Sequence, residues 1–147
     1  MRCSPRADNP VFDSLEPVVR GLGMVLVELS VSRHRGSAQV RAVVARRGSM
    51  GIDDCARVHQ AILPRLELAF PGGELHVEVS SPGIDRLIRD GSEFPLWLGR
   101  GVACYRVDTG EWVRGILRRA DTAGITLGET ELDFALIGKA KLDHSVE

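Results

Sequence analysis

The chain has 147 residues and a formal net charge of −1, with 44% hydrophobic and 5% aromatic residues. This length holds one domain or two very small ones, and the near-neutral charge excludes a global electrostatic attraction to nucleic acid. No apolar run approaches the roughly 20 residues of a membrane span, and the polar start lacks the apolar core of a secretory signal. The three cysteines are widely spaced and form no C-x-x-C pattern, which indicates a reducing cytoplasm.

A first helix is predicted to begin after Asn9. Asn9 is a favoured N-cap residue and Pro10 suits the first helical position. Gly21 and Gly23 supply the stop, whereas Pro17 should kink or shorten the helix. Five apolar residues share one face at helical spacing: Val11, Leu15, Val18, Val19 and Leu22.

Three strands and a second helix follow. Met24–Ser32 and Gln39–Arg46 alternate like strands, and the residues between them, 33–37, are predicted to form a hairpin loop. The third strand is predicted over Glu74–Ser80, with Leu75, Val77 and Val79 pointing inward. The resulting order α-β-β-α-β predicts a small sheet with both helices on one side.

The second helix is expected to be capped by Asp53 or Asp54 and to end at Pro71–Gly73. Its inner face carries Cys55, Val58, Ile62, Leu63, Leu66 and Phe70. Cys55 and His59 lie one helical turn apart, but zinc needs three or four ligands and no second cluster offers them, so no metal site is predicted.

Short strands separated by tight turns dominate the chain beyond Gly91. A helical turn is expected at Asp133–Ile137, before the last strand, and this arrangement is typical of a small SH3-like barrel. The predicted strands are Leu98–Val107, Glu111–Arg119, Gly124–Gly128 and Lys139–Leu142. The predicted fold class is therefore α+β, with an N-terminal α-β-β-α-β sandwich domain over residues 1–90 and an SH3-like (Sm-like) β-barrel over residues 91–147.

The third predicted strand ends in the turn Ser80-Ser81-Pro82-Gly83. Pro82 presets its own φ for position i+1 of a turn, and Gly83 supplies the positive φ that a type II turn demands at i+2. Asp85 and Arg86 follow and either pair locally or present a carboxylate and a guanidinium to a partner. The pattern indicates a rigid joint between the two modules.

An enzymatic interpretation of this turn is a serine hydrolase. His76, Glu78 and Ser80 point to one side of the strand, but four residues separate His76 from Ser80 by roughly 13 Å, beyond hydrogen-bond reach. No G-x-S-x-G elbow and no Gly-Lys-Ser/Thr phosphate loop is present. A hydrolase using Ser80 or Ser81 with a histidine is kept as the competing hypothesis.

A resemblance to a known family rests on the same segment. The sequence VEVSSPGIDRLI at Val77–Ile88 is similar to the V-S-S-P-G-h-D-R-P-L signature (h, apolar) of the bacterial ribosome maturation factor RimP family. The chain departs from the family at Leu87, where proline is usual, and at Pro64, which is expected to interrupt the second helix. Further matches occur in the same order at Ile52–Cys55, Phe94, Gly99, Gly115 and Leu132–Leu142.

The resemblance implies a cytoplasmic factor that binds the immature small ribosomal subunit. Its implied partners are rRNA and the twelfth small-subunit ribosomal protein, with no catalytic residue, no cofactor and no membrane, and we expect a monomer. A general RNA-binding module unrelated to ribosomes is the further alternative. The residues expected to bind a partner or to form the interdomain joint are Ser80, Ser81, Pro82, Gly83, Asp85 and Arg86.

Arginines supply 17 of the 19 basic residues, and three arginine pairs are candidate rRNA contacts, since guanidinium groups bind phosphate bidentately. For any single pair, a solvated charged surface is the simpler interpretation. Trp97 and Trp112 offer stacking surfaces or pack the barrel, and the acidic stretch Glu129–Asp133 suits a basic protein partner. The arginine pairs are Arg33 with Arg35, Arg46 with Arg47, and Arg118 with Arg119.

Overall fold

The computed structural model describes residues 1–5, 9–46 and 50–147, and the chain divides into two compact units. The first unit is Asp8–Pro82. The second is Gly83–Glu147 together with the N-terminal segment Met1–Ala7. The predicted domain bounds, residues 1–90 and 91–147, stay a prediction.

The first unit has the predicted order α-β-β-α-β. Strand β1 pairs antiparallel with β2, and β2 pairs parallel with β3, so that β2 is the central strand. The third strand has the predicted bounds, but β1 and β2 extend further and meet at a turn on Arg35 and Gly36, tighter than the five-residue loop predicted. The elements are α1 (Pro10–Gly21), β1 (Val25–His34), β2 (Ser37–Ala45), α2 (Ile52–Ala69) and β3 (Glu74–Ser80).

Asn9 caps α1 as predicted, because the backbone N–H of Phe12 donates to its Oδ1 at 3.1 Å. The prediction that Pro64 interrupts α2 is wrong, and Pro17 does not shorten α1, because α1 continues through Pro17 and α2 through Pro64. The predicted kink at Pro17 stays a prediction. An internal proline costs about 3 kcal/mol, and burial of a Val or Leu side chain contributes about 1.5–3 kcal/mol. Val19 and Leu66, each beyond its proline, are fully buried and offset that cost.

The expected cap of α2 is wrong. The helix begins at Ile52 and its N-cap is Gly51. Asp54 instead acts from within the first turn, where its Oδ2 accepts the Gly51 N–H at 3.0 Å and its Oδ1 accepts from Arg46 at 2.9 Å. The Gly51 hydrogen bond, together with the Arg46 guanidinium, lowers the pKa of Asp54.

Both helices pack on the same face of the three-stranded sheet, as predicted. Leu75, Val77 and Val79 of β3 pack against this core half-buried. The opposite face is polar and exposed, with an ion pair of 3.4 Å between Arg41 and Glu78. The buried core residues are Leu15, Val19, Met24, Leu26, Val40, Ala42, Val44, Val58, Ile62 and Leu66.

The second unit is built on a five-stranded sheet of order β7-β6-β5-β4-β8. Strand β7 was not predicted. A 3-10 segment at Gly91–Trp97, also not predicted, buries Phe94 and Trp97, and Phe94 stacks on Phe134 at 5.9 Å between ring centroids. The strands are β4 (Gly101–Arg106), β5 (Trp112–Ala120), β6 (Gly124–Leu127), β7 (Thr130–Asp133) and β8 (Ile137–Leu142).

This sheet is open, so the ladder does not by itself establish the predicted SH3-like barrel. Its outer strands, β7 and β8, do not pair with each other among the described residues. The segment 86–88 instead runs beside β8: the Leu142 N–H donates to the Arg86 carbonyl at 2.9 Å, and the Ile88 N–H donates to the Ala140 carbonyl at 2.8 Å. The predicted helical turn before the last strand is present as a 3-10 turn at Phe134–Leu136.

Candidate functional site

The serine-proline-glycine segment follows β3. Ser80 ends the strand and is half-buried, whereas Ser81 is exposed. Gly83 has the positive φ that was predicted, +82°. The turn itself falls on Ile84 and Asp85, two residues later than predicted, and the chain pairs with β8 directly after it, from Arg86. Pro82 is the last residue of the first unit and Gly83 begins the second.

Arg86 is held inside the second unit by Glu93. Its Nε donates to Glu93 Oε1 at 2.7 Å and its Nη2 donates to Oε2 at 3.2 Å. The indole N–H of Trp97 donates to the same Oε1 at 2.9 Å. The side chains of Arg86 and Glu93 are only 15% and 17% exposed. This Arg86–Glu93–Trp97 cluster is a structural anchor, and sequence reasoning did not find Glu93 as the partner.

Asp85 differs from its neighbour. It is exposed and makes no hydrogen bond or ion pair with any residue that the structure describes. The signature therefore splits into an anchored guanidinium at Arg86 and an accessible carboxylate at Asp85. Only the carboxylate is placed to meet a partner without breaking an internal contact.

Catalytic geometry at the serines is not assembled in the described part of the chain. His76 Nε2 lies 3.4 Å from Glu74 Oε2, and neither Ser80 nor Ser81 hydrogen-bonds a histidine.

Burial raises the pKa of the Cys104 thiol to about 12. The described residues also contain no cluster of three metal-ligating side chains, and none of their helices has the length and apolar content needed to span a membrane.

The arginine pairs of the first unit lie in different settings. Arg33 and Arg35 are exposed at the tip of the β1–β2 hairpin, where the Arg33 guanidinium lies 4.6 Å from the ring centroid of Phe70. Arg46 pairs with Asp54 but its side chain keeps 43% exposure. Arg47 lies outside the described residues.

The arginine pair of the second unit lies on β5, and both residues are exposed. Arg119 forms an ion pair with Asp121, and its Nε donates to Thr126 Oγ1 at 3.1 Å. Arg118 has no ion pair among the residues described. Arg118 is therefore the more available of the two for a phosphate.

An aromatic and basic surface on β4, β5 and β8 was not predicted as a unit. Trp112 is 42% exposed, packs edge-on against Tyr105 at 5.7 Å between ring centroids, and has the Lys141 Nζ 5.4 Å from its ring. Lys139 lies beside Tyr105 in the ladder and is exposed. Trp97, by contrast, is buried and offers no stacking surface.

The acidic stretch of the second unit lies at the edge of the sheet. Glu129 precedes β7, and Glu131 and Asp133 lie on it; all three are exposed. Because β7 is an outer strand, these carboxylates face solvent along one border of the sheet. The second unit thus carries an acidic edge in addition to the aromatic and basic surface.

A comparison with known families addresses the resemblance seen in the sequence. Residues 14–85 match the family model of the RimP N-terminal domain. The match runs from within α1, through all three strands and α2, to Asp85, and so includes the serine-proline-glycine turn. The resemblance is confirmed: residues 14–85 belong to the family of RimP N-terminal domains.

Proposed function

We propose that this chain is a non-catalytic maturation factor of the small ribosomal subunit, acting in the cytoplasm as a monomer and without a cofactor. The observation that carries the proposal is the match of residues 14–85 to the RimP N-terminal domain, which supports a role in ribosome maturation. The exposed Asp85 and the anchored Arg86 supply a binding surface on a fixed support.

The mechanism is selective binding. The factor binds one immature conformation of the subunit more tightly than the mature one, and this difference in affinity shifts the assembling particle toward the productive arrangement. Release follows once the mature surface has formed. This mechanism requires no proton transfer and no chemical reaction, so it depends only on the exposed charges and the shape of the binding surface.

The rRNA partner is supported by the exposed guanidinium groups. Arg33, Arg35 and Arg118 are exposed and take part in no ion pair among the described residues, so they are available to phosphate. Arg46, Arg47 and Arg119 are kept as further candidate contacts. The aromatic and basic surface around Trp112 fits an unpaired base.

The protein partner, the twelfth small-subunit protein, is supported by the acidic edge formed by Glu129, Glu131 and Asp133. Complementary charge speeds association and favours a basic partner over an acidic one. In a pull-down with the purified partner, Glu131→Lys should weaken capture. Glu67→Lys, at an exposed position of α2, should not. Equal capture of both variants would exclude the acidic edge as the contact.

We further infer that the second unit is an SH3-like barrel. Strand β5 is shared between two ladders, pairing with β4 on one side and with β6 on the other. A bulge between Leu117 and Arg119 interrupts the β5–β6 pairing, and bulges bend strands so that a sheet can fold over itself. The 3-10 turn directly before β8 is typical of this architecture.

A sedimentation assay with Asp85→Ala tests the binding surface. The full chain and the variant are mixed with immature small subunits, and the bound fraction is measured after centrifugation through sucrose. Because Asp85 is exposed and makes no hydrogen bond or ion pair with a described residue, the variant should keep the wild-type unfolding midpoint and lose subunit binding. Glu67→Ala, which removes an equally exposed carboxylate from α2, is the matched control.

Three outcomes of this assay are decisive. Binding of Asp85→Ala at the wild-type level would exclude Asp85 from the contact. Failure of the wild-type chain to sediment with any small subunit would refute the proposed function. Displacement by unrelated RNA as efficiently as by rRNA would favour a general RNA-binding module instead.

A further inference from the structure

A cavity of about 350 Å³ lies in the first unit, between the β1–β2 hairpin and the loop that joins α2 to β3. Residues 33–38 form one wall, and residues 69–72 with Glu74 form the other. This volume lies at the lower end of the range for small-molecule sites. The cavity therefore suits a ligand of about the size of one nucleotide.

The walls of this cavity are held together by close contact of two backbone segments. A Cβ atom added to Gly73 would lie 1.9 Å from the carbonyl oxygen of Gly36 on the hairpin. Only glycine permits this approach, and Gly73 also has a φ of +101°. The cavity is thus preformed by the fold and needs no ligand to shape it.

The charge of the lining is positive. The lining contains two arginines, Arg33 and Arg35, and one acidic residue, Glu74, whose carboxylate lies 3.4 Å from His76 outside the lining. Neither arginine takes part in an ion pair with any other described residue. An anionic ligand is favoured, because it would supply the partner that both guanidinium groups lack.

The planar guanidinium of Arg33 is held against the ring of Phe70. Its guanidinium lies 4.6 Å from the centroid of the Phe70 ring, a cation–π contact that restrains an otherwise flexible side chain. Phe70 is half-buried and packs against the core of the unit, so the support is firm. Unpaired nucleic-acid bases stack on guanidinium planes of this kind.

Arg35 occupies an unfavourable backbone conformation. Its φ is +47°, and Gly36 follows with +79°, the pattern of a type I′ hairpin turn. The first position of that turn prefers asparagine, aspartate or glycine, whereas a long side chain at positive φ is uncommon. An arginine at this position is poorly explained by the turn but well explained by a ligand that needs its charge.

We propose that this cavity binds a single unpaired nucleotide of RNA. Arg35 contacts the phosphate, and the base stacks on the Arg33 guanidinium, which Phe70 supports from the other side. The identification of the RNA as rRNA of the immature small subunit rests on the proposed function; the nucleotide site itself rests on the cavity.

The test measures binding of the full chain to a fluorescent single-stranded RNA of mixed sequence and to a duplex of the same sequence, over a range of salt concentrations. Arg35→Asn removes the charge but suits the type I′ turn, so the unfolding midpoint should stay or rise. The affinity for RNA should fall about tenfold. The slope of log affinity against log salt concentration should become shallower by about one, the value for one lost phosphate contact. Arg33→Lys keeps the positive charge but removes the planar guanidinium on which a base can stack. The affinity for RNA should therefore fall about tenfold, while its dependence on salt concentration stays nearly unchanged. Arg41→Ala, on the open face of the same sheet, is the matched control and should bind like the wild type.

Several results would overturn the nucleotide site. They are equal binding of Arg35→Asn and the wild type, equal binding of duplex and single strand, or displacement of the RNA by polyglutamate as readily as by unlabelled RNA. The last result would mean that the cavity recognises an acidic protein segment.

Subunit sedimentation separates this inference from the proposed function. If the wild-type chain sediments with immature subunits but Arg35→Asn and Arg33→Lys leave RNA binding unchanged, the nucleotide site is wrong and the function stands. If RNA binding depends on both arginines but the chain never sediments with subunits, the function is wrong and the nucleotide site stands.

Discussion

Replacement of Arg86 by alanine should destabilise the second unit strongly. The Arg86 guanidinium makes two hydrogen bonds to Glu93, at 2.7 and 3.2 Å, and both side chains are largely buried. Removal of one partner from a buried ion pair costs about 3–5 kcal/mol, because the other charge is left buried and unpaired. With 15–17% of each side chain still reaching solvent, we expect the lower end of this range, about 3 kcal/mol.

Urea unfolding followed by tryptophan fluorescence measures this loss directly. Trp97 and Trp112 both lie in the second unit, and the Trp97 indole is itself bonded to Glu93. Arg86→Lys keeps the charge but cannot form the bidentate contact, so its free energy of unfolding should lie between those of the wild type and Arg86→Ala.

The matched control is Arg119→Ala. Arg119 forms an ion pair with Asp121 in the same unit, but the two side chains are 46% and 50% exposed. Its removal should therefore shift the urea midpoint far less than removal of Arg86. Equal shifts for Arg86→Ala and Arg119→Ala would refute the assignment of Arg86 as a structural anchor.

Three further predictions concern stability and reactivity. Gly73→Ala should lower the thermal midpoint of the first unit, because its Cβ would collide with the Gly36 carbonyl; an unchanged midpoint in calorimetry would contradict this close contact. Hydrogen bonds from Ser145 and Arg114 lower the pKa of Asp143 from 3.8 to about 2, so its stabilising contribution is present above pH 3.8 and is lost as the pH falls toward 2. Asp143→Asn should flatten this acid dependence in circular dichroism, and an unaltered profile would contradict it. Cys104 should resist iodoacetamide in the folded protein and react only in urea, since burial raises its pKa to about 12; labelling at the rate of the half-buried Cys55 would contradict this.

The elements that the sequence predicted well are those with a strong local signal. Asn9 with Pro10 marks the start of α1, and the alternation of Glu74–Ser80 defines β3 because one face of that strand packs on the core. The signature around Asp85 carried the family assignment, which the match over residues 14–85 confirms.

Other features depend on tertiary contacts that no local pattern reveals. The continuation of α2 through Pro64 requires burial further along the helix, which outweighs the local penalty. The bond between Arg86 and Glu93 requires the intervening chain to run beside β8 before it reaches the 3-10 segment. The cavity beside Arg33 likewise arises from two segments that are far apart in sequence and meet only in the fold.

Sucrose-gradient fractionation of a cell lysate tests the central claim most directly. If the chain acts by binding the immature small subunit, it should comigrate with free small subunits and be absent from mature ribosomes. Its amount in the small-subunit fraction should rise when subunit assembly is stalled. A chain that stays at the top of the gradient under every assembly condition, or that comigrates with translating ribosomes, would contradict the account.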